Sequence, residues 1–274
     1  MSNLRSIMGV VAAGAARAGQ HRPEEIRPFV TIARQSGAGA TTLKDRLVER
    51  LRELDTADPP WTGFERELVE KVAKEHQLSQ PLVESLGEKT HSWIEDLFTG
   101  LTSHGPEQSE LTAYRRVAQT IRALAQAGRV VVVGRGGVFL TRDMPRGLHI
   151  QLVAPLEQRI AHVMQRDQVA EKEARKHIQQ RDHARQQFYK RYWPNRTVTP
   201  ESFTVTYNTA GIDEDALVDS IIPLIPGLPG GRKQTVAPLA TTRPQRYLRD
   251  VEVRGREEPR TTRGEPHGGT PGPQ

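Results

Sequence analysis

The feature that most constrains the fold of this chain is an apolar run, followed by a glycine-rich segment and then a leucine-spaced helix. The run Phe29–Ala33 (FVTIA) is strand-like, and the glycine-rich segment is Arg34–Thr42 (RQSGAGATT). Leucine then recurs at spacings of four, four and three residues from Leu43 to Leu54, which places these side chains on one helix face. A strand, a tight loop and a helix in this order are typical of a phosphate-binding loop. In such a loop, backbone N–H groups and the helix N-terminus surround an anion.

The loop departs from the full phosphate-binding pattern at two positions. The pattern G-x-x-x-x-G-K-[ST] requires glycines at 34 and 39, lysine at 40 and serine or threonine at 41. Gly39 and Thr41 agree with it, whereas Arg34 and Ala40 do not. The backbone of the loop can hold a phosphate without the lysine. The alternative is a flexible turn without a ligand, because short glycine-rich motifs also occur by chance.

Composition limits the class of protein. The chain has no cysteine, which excludes disulfides, thiolate metal sites and cysteine nucleophiles and favours a reducing cytoplasm. No apolar run approaches the roughly 20 residues that a membrane span needs. The stretch 7–18 resembles a signal peptide, but it is short and contains Arg17. We therefore predict that residues 1–27 are an extension containing a short helix, and that the protein is cytoplasmic and binds no membrane.

The C-terminal part of the chain carries most of the excess positive charge, which totals +6 for the 274 residues. Residues 227–274 are rich in Arg, Pro, Thr and Gly and poor in apolar residues, so we predict a disordered basic tail. The tail is either a solvated extension or makes weak, salt-sensitive contacts with a polyanion such as nucleic acid. Its arginines include Arg243, Arg246, Arg249, Arg254, Arg256, Arg260 and Arg263.

Between these ends, residues 28–226 show strands that alternate with helices. The run Val130–Val133 is apolar throughout, as in a strand buried on both faces of a parallel sheet, and Leu148–Ala154 and Phe203–Asn208 are further strands. The pattern predicts a doubly wound α/β fold with a mainly parallel sheet. The corner Gly134–Gly137, like the first loop, follows the carboxyl end of a strand, where ligands of such folds bind.

Two arginines lie four residues apart in the charged helix predicted for Glu171–Tyr192. On a helix, Arg181 and Arg185 project from one face. Two guanidinium groups in this arrangement can grip phosphate oxygens and offset the charge that develops in phosphoryl transfer. The alternative is a solvated helix in which Asp182 and neighbouring acids neutralise these arginines.

Three further charged residues follow predicted strands, and each has two interpretations. Arg135, between the corner glycines, either binds a substrate phosphate or pairs with a carboxylate such as Asp143. Arg34 either reaches the bound phosphates and partly replaces the lysine, or caps nearby carbonyl groups. Glu65, after the predicted strand Trp61–Phe64, either faces an acceptor site or starts the next helix.

Taken together, these segments resemble the cytidylate kinase-like family, a branch of the P-loop nucleoside monophosphate kinases, over residues 28–225. Members of this branch typically begin with a loop similar to I-S-R-x-x-G-S-G-G, so they also lack the loop lysine. The resemblance rests on TIARQSGAGA (31–40), GFEREL (63–68), VVVGRG (131–136), APLEQRI (154–160), QRDHAR (180–185) and YNT (207–209).

The resemblance implies a P-loop NTPase-type α/β fold with a five-stranded parallel sheet and a helical, arginine-bearing lid at about residues 168–200. It also implies an ATP- and Mg²⁺-dependent enzyme that phosphorylates a (d)CMP-like nucleoside monophosphate, so its partners are a nucleotide donor and a small phosphorylated acceptor. The alternative is a non-catalytic nucleotide-binding protein, a pseudokinase or sensor, with the same fold. That alternative is motivated by Ala40 and Thr41, which replace the Gly-Arg pair often found in the branch.

The same resemblance assigns roles to individual residues. Arg135 would meet the acceptor monophosphate together with Glu65 and Arg191, and with Arg181 and Arg185 it would form the catalytic set that clamps the transferring group. Glu65 stands where the branch often has aspartate. The donor phosphates would contact Arg34, Gly37, Ala38, Gly39, Ala40, Thr41 and Thr42, with Thr41 also near Mg²⁺.

Overall fold

The computed structural model describes residues 27–74, 83, 84, 86, 88–99, 108–194 and 196–228, together with Gly9 and Gly272. The chain divides into two units, Met1–Thr241 and Thr242–Gln274, and all described residues except Gly272 belong to the first. The predicted N-terminal helix and almost all of the predicted basic tail lie outside the described residues, so both stay predictions.

Five parallel strands form one sheet in the order β2-β3-β1-β4-β5. The α/β fold with a parallel sheet is therefore confirmed, and every strand pair is parallel. Strand β1 lies in the centre, with Phe29 paired to Val130 on one side and to Gly147 on the other. The strands are β1 (Phe29–Arg34), β2 (Thr62–Glu65), β3 (Val130–Val133), β4 (Gly147–Val153) and β5 (Val205–Asn208).

The parallel arrangement brings three strand ends to one edge of the sheet. β1 ends at Arg34, β2 ends at Glu65, and β3 is followed directly by Gly134. Glu65 pairs with Val133 in the β2–β3 register, so it ends a strand and does not start the following helix. The glycine loop after β1 and the corner Gly134–Gly137 after β3 therefore lie at the same edge of the sheet, although they are about 100 residues apart in sequence.

Helices cover both faces of the sheet. Alternate residues of β3 enter two different cores: Val130 and Val132 pack with Phe139 on one side, whereas Val131 and Val133 pack with Leu47 on the other. The all-valine strand is thus buried on both faces, as expected for a parallel sheet. The helices are α1 (Ala40–Leu54), α2 (Arg66–Lys74), α3 (Glu88–Thr99), α4 (Gln108–Ala127), α5 (Gly137–Thr141), α6 (Leu156–Asp167), α7 (Glu171–Tyr192) and α8 (Glu214–Ile221).

The strands β2 and β4 are shifted by one residue from their predicted bounds, and two larger differences have a local cause. Leu54, the last residue of the leucine stripe, is 42% exposed, because α1 ends there while the three earlier leucines are buried. β5 begins at Val205, two residues later than predicted. The N–H of Phe203 instead closes a 3₁₀ turn by donating to the carbonyl of Pro200, at 3.1 Å.

No helix among the described residues is long and apolar enough to cross a membrane.

A histidine is buried inside the sheet. Nδ1 of His149 on β4 lies 2.8 Å from Oγ1 of Thr31 on β1, and the ring of Phe29 stands edge-on to the imidazole. Burial, reinforced by the charge of Arg142, lowers the pKa of His149 from 6.5 to about 4.

We expect this histidine to make the protein less stable as the pH falls from 6.5 towards 4. In that interval the unfolded chain binds a proton on the imidazole and the folded protein does not, so the free energy of unfolding falls by up to about 3 kcal/mol. Urea unfolding at several pH values measures this slope, and His149→Gln should flatten it. The exposed His183→Gln should retain the wild-type slope. An unchanged slope in His149→Gln would contradict the assignment.

Candidate phosphate-binding site

The glycine loop between β1 and α1 has a backbone path that requires glycine. Gly37 and Gly39 have φ angles of 85° and 79°, in the left-handed region that glycine adopts without strain. A Cβ atom on Gly37 would stand 2.7 Å from the carbonyl oxygen of Arg159 on α6. Gly39 is the N-cap of α1, and this helix has no side-chain cap and no acidic residue in its first turn. No described side chain caps the first N–H groups of α1, so these groups are available to bind an anion.

Three contacts with other strands hold the loop in place. Gln35 donates its backbone N–H to the Leu152 carbonyl at 3.0 Å, and its side-chain oxygen accepts the N–H of Ala154 at 3.0 Å. On the other side, the Thr209 hydroxyl lies 3.4 Å from the Ala38 carbonyl oxygen. The loop is thus joined to the ends of β4 and β5, which favours a preformed shape.

Four arginines near the loop and the second glycine corner influence one another electrostatically, although Arg66 also forms an ion pair with Glu70 at 2.5 Å. Burial and the charges of Arg185 and Arg135 lower the pKa of Arg34 to about 10, although Glu67 and Glu65 oppose this shift. Burial and the charges of Arg66 and Arg185 lower the pKa of Arg135. Like charges shift one another in this way only when they are close. An anion bound among these four guanidinium groups would relieve their mutual repulsion.

The lysine nearest to the loop in sequence does not replace the missing one. Lys44, one turn into α1, binds Glu65 at 2.7 Å and Asp45 at 3.0 Å. Although burial opposes protonation, the hydrogen bonds to these two carboxylates outweigh it and raise the pKa of Lys44. Its ammonium group is therefore neutralised, and the free positive charge at the site comes from arginine.

The helix α7, which we call the arginine helix, touches the loop through a carboxylate. Oδ1 of Asp182 accepts the backbone N–H of Ser36 at 2.9 Å, and it also accepts Nη1 of Arg185 at 2.5 Å. Oδ2 of Asp182 accepts Nη1 of Arg159 at 2.7 Å. Asp182 is thus the only residue of the arginine helix that we find hydrogen-bonded to the loop within the described part of the chain.

Arg159 on α6 connects the loop to the end of β4 and to the arginine helix. This residue is only 8% exposed, and its guanidinium donates to the carbonyls of Ser36 at 3.1 Å and Ala154 at 3.0 Å, besides the contact with Asp182. A buried arginine with three acceptors holds its position strongly. Arg159 therefore holds the carbonyl of Ser36, while the N–H of Ser36 donates to Asp182 of the arginine helix.

The second glycine corner also meets the arginine helix. Nη1 of Arg135 donates to the Ala184 carbonyl at 3.1 Å, and its guanidinium lies 4.7 Å from the centre of the Phe188 ring. The N–H of Gly136 donates to the hydroxyl of Tyr189 at 3.2 Å. The alternative pairing with Asp143 is wrong, because Arg122 binds both oxygens of that carboxylate, at 2.8 and 3.0 Å.

Aromatic residues anchor the end of the arginine helix. Tyr192 packs 4.1 Å from the ring of Tyr114 on α4, and Nε1 of Trp193 donates to the hydroxyl of Tyr114 at 3.2 Å. Phe188 and Tyr189 pack against the same core. These aromatic side chains therefore join the arginine helix to the core.

The structure brings some of the predicted site residues together and leaves others apart. Arg34, Arg135 and Arg185 lie in the arginine group, and Glu65 lies beside it. Arg181 is exposed and close to Asp167, while Arg191 forms an ion pair with Glu110 at 2.9 Å. Their catalytic and substrate-binding roles stay predictions. Arg34 makes no side-chain hydrogen bond to a carbonyl within the described residues, so its predicted capping role finds no support.

Sequence reasoning missed two residues of this site. Arg66 and Arg159 lie within two of the segments that carry the family resemblance, GFEREL and APLEQRI, but neither stands next to a glycine. The family resemblance covered both segments, but residue type and spacing did not indicate that these two arginines belong to the site. Arg159 is recognised by its contacts with Ser36 and Asp182, and Arg66 by its effect on the pKa of Arg135.

The described residues contain no group of three or more His, Cys, Asp or Glu side chains that could hold a metal ion. Mg²⁺ keeps several waters and commonly binds through substrate phosphates and one or two protein oxygens. The prediction that Thr41, at the start of α1, contributes an oxygen to Mg²⁺ bound with a nucleotide therefore stays a prediction.

A parallel α/β sheet with a glycine loop after its first strand and arginines at its carboxyl edge defines the class of phosphate-binding α/β proteins. Within that class, the model of the cytidylate kinase-like family matches residues 29–210. The match spans more than half of the chain, so the protein belongs to the cytidylate kinase-like family. No curated protein matches the sequence.

Two solved structures are similar to this chain. The crystal structure of an uncharacterized protein from Eubacterium ventriosum is 19% identical, with a TM-score of 0.55, and the match covers 72% of this chain and 96% of that one. The crystal structure of TT1252 from Thermus thermophilus is 15% identical, with a TM-score of 0.39, and covers 74% of this chain and 100% of that one. At this identity the first similarity speaks for the fold alone.

Proposed function

We propose that this protein is a nucleotide-binding phosphotransferase, which transfers the terminal phosphoryl group of ATP to a nucleoside monophosphate of the (d)CMP type. The observation that carries the proposal is the uncapped N-terminus of α1 after the glycine loop, beside which Asp182 holds Arg159 and Arg185. Burial and neighbouring arginine charges also lower the pKa of Arg34 and Arg135. Membership of the family supports nucleotide binding as the general activity.

The arrangement supports two phosphate subsites. The loop N–H groups and Arg34 would hold the donor phosphates, and Arg135 with Arg66 would hold the acceptor monophosphate at the neighbouring strand end. Arg185 would serve both subsites, since it is held beside the loop by Asp182 and its charge, after burial, lowers the pKa of both Arg34 and Arg135. A guanidinium in that position stabilises the charge on the transferring group.

The reaction needs no covalent nucleophile and no general base. An acceptor phosphate oxygen, already ionised at neutral pH, forms a bond to the terminal phosphorus of ATP, and the bond from that phosphorus to the bridging oxygen breaks. ADP leaves with the electron pair, and the acceptor becomes a diphosphate. The residues align the two phosphates and exclude water. Bound Mg²⁺, held by the donor phosphates and Thr41, would neutralise part of their charge.

The activity is tested by incubating the purified protein with MgATP and a panel of nucleoside monophosphates. We expect a diphosphate product with CMP or dCMP. Absence of product with every acceptor, in protein that still binds ATP, would eliminate the phosphotransferase and leave the second candidate.

That second candidate is a non-catalytic sensor that binds a nucleotide or an anionic metabolite in the same site. The observation that favours it is the pair Ala40 and Thr41, which lacks both the loop lysine and the neighbouring arginine. A sensor would bind one ligand and change its contacts without turnover.

We expect ATP and the correct monophosphate together to raise the melting temperature more than either alone. A ligand that binds only the folded state stabilises it by RT ln(1 + [L]/Kd), which is about 2.7 kcal/mol at 100 times Kd. Thermal-shift titrations with each nucleotide, with and without Mg²⁺, measure the two subsites separately. Stabilisation by ATP alone, unaffected by any monophosphate, would instead indicate a single-ligand sensor.

A further inference from the structure

The phosphate-binding loop already holds an anion, and that anion belongs to the protein. The Asp182 carboxylate accepts the Ser36 N–H at 2.9 Å and is bound by Arg159 and Arg185 at 2.7 and 2.5 Å. A phosphate group in a loop of this kind takes the same type of contacts, from backbone N–H groups and guanidiniums. The carboxylate thus satisfies part of the anion-binding capacity of the loop.

We propose that Asp182 is an internal competitor for the phosphate-binding loop, and that a polyphosphate must displace its carboxylate from Ser36 and Arg185 in order to bind. The inference rests on the proposed function, since it concerns the same donor-phosphate site. It makes Asp182 a residue that sets the affinity for the donor and couples the arginine helix to occupation of the loop.

The position of Asp182 in the helix supports this role. It lies in the middle of the arginine helix, between residues that pack on α6, such as Ile178, and aromatic residues that pack on the core, such as Phe188. The helix is therefore anchored on both sides of the contact. Displacement of the carboxylate would release Arg185, which shares Oδ1 of Asp182 with the loop N–H, so that its guanidinium can bind the incoming phosphate instead.

Charge balance also indicates that Asp182 and a bound polyphosphate compete for the loop. With Asp182 in place, one carboxylate offsets Arg159 and Arg185 in the ligand-free protein. A bound polyphosphate brings several negative charges to the same guanidiniums, and the Asp182 carboxylate would then stand next to an anion of like charge. The two anions therefore exclude each other, because like charges at hydrogen-bond distance repel strongly in a partly buried site.

The test is Asp182→Asn, which keeps the size of the side chain and an oxygen that can accept the Ser36 N–H but removes the charge. We expect this variant to bind inorganic pyrophosphate and ATP about tenfold more tightly by calorimetry, since an equilibrium that leaves the loop free about one tenth of the time weakens binding tenfold. Thermal unfolding of the ligand-free variant verifies that it is folded.

Asp167→Asn is the matched control. Asp167 has the same side-chain exposure as Asp182, 27%, and likewise binds an arginine, Arg166, at 2.7 Å. It makes no hydrogen bond to a described residue of the loop, so its removal reports the effect of losing one negative charge near the arginine helix without freeing a loop N–H group. We expect its affinity for pyrophosphate to change less than twofold.

Two results would overturn the proposal, and they have different meanings. If Asp182→Asn binds pyrophosphate as wild type does or more weakly, Asp182 merely positions Arg159 and Arg185, and the proposed phosphotransfer stands. If neither wild type nor the variant binds pyrophosphate or ATP, the loop is not a phosphate site, and both this inference and the proposed function fail.

Discussion

Replacing Arg185 by alanine should lower the rate of phosphoryl transfer about a thousandfold while weakening ATP binding less than tenfold. Arg185 shares Oδ1 of Asp182 with the loop N–H of Ser36, and its charge, after burial, lowers the pKa of both Arg34 and Arg135, so we expect it to lie near the transferring group. Arginines in that position typically contribute 10³–10⁵ to turnover. Single-turnover kinetics with the best acceptor, alongside calorimetric ATP binding, measure the two effects independently.

Arg175→Ala is the matched control for this prediction. Arg175 lies on the same helix, and its contacts are ion pairs with Glu157 and Glu171 at 3.3 and 3.1 Å. Exposed pairs of this kind contribute little to stability, so the variant should retain wild-type turnover. Equal losses of turnover and ATP binding in Arg185→Ala would contradict the catalytic role and favour the sensor.

Gly37→Ala should disable the loop even though it adds only a methyl group. The φ of 85° disfavours any L side chain by about 1–2 kcal/mol. In addition, the new Cβ would lie 2.7 Å from the backbone oxygen of Arg159, which cannot rotate away as a side-chain tip would. The loop would have to move, and a displacement of about 1 Å at a reacting group lowers turnover about a hundredfold.

Gly211→Ala separates the strain from the steric clash. Gly211 also has a left-handed φ, 70°, but a Cβ there meets no atom within 4 Å. It should lower the free energy of unfolding by the strain alone and leave ATP binding intact. Chemical denaturation and calorimetry on both variants provide the comparison. Normal ATP binding and turnover in Gly37→Ala would show that the loop path does not matter for function.

Much of the fold was predictable because it depends on local patterns. The all-valine run predicted β3 at its observed bounds, and the charged segment predicted the helix Glu171–Tyr192 at its observed bounds. Leucine spacing predicted α1, whereas the strand that begins at Val205 was placed two residues too early. In that case the N–H of Phe203 donates to the carbonyl of Pro200 in a 3₁₀ turn.

The candidate site was predictable only in part. Residues in the glycine corners at strand ends, such as Arg34 and Arg135, were identified because such corners meet at the edge of a parallel sheet. Arg66 and Arg159 were missed, because their segments carry the family resemblance but no glycine corner or spacing marks these two residues as part of a site. Arg191 was predicted to bind the substrate, yet it forms an ion pair with Glu110.

The sequence by itself determined the kind of elements, the glycine loop without its lysine and the family resemblance, because these depend on residue types and spacings within short segments. Only the tertiary structure decided which charges meet. Ser36 and Asp182 are 146 residues apart, and Arg159 reaches both. The strand order and the packing of α6 and α7 bring them together, and such contacts between distant segments leave no periodicity in the sequence. The loop that lacks a lysine therefore has arginines of the helices α6 and α7 beside it, and the Asp182 carboxylate of the same chain accepts one of its N–H groups.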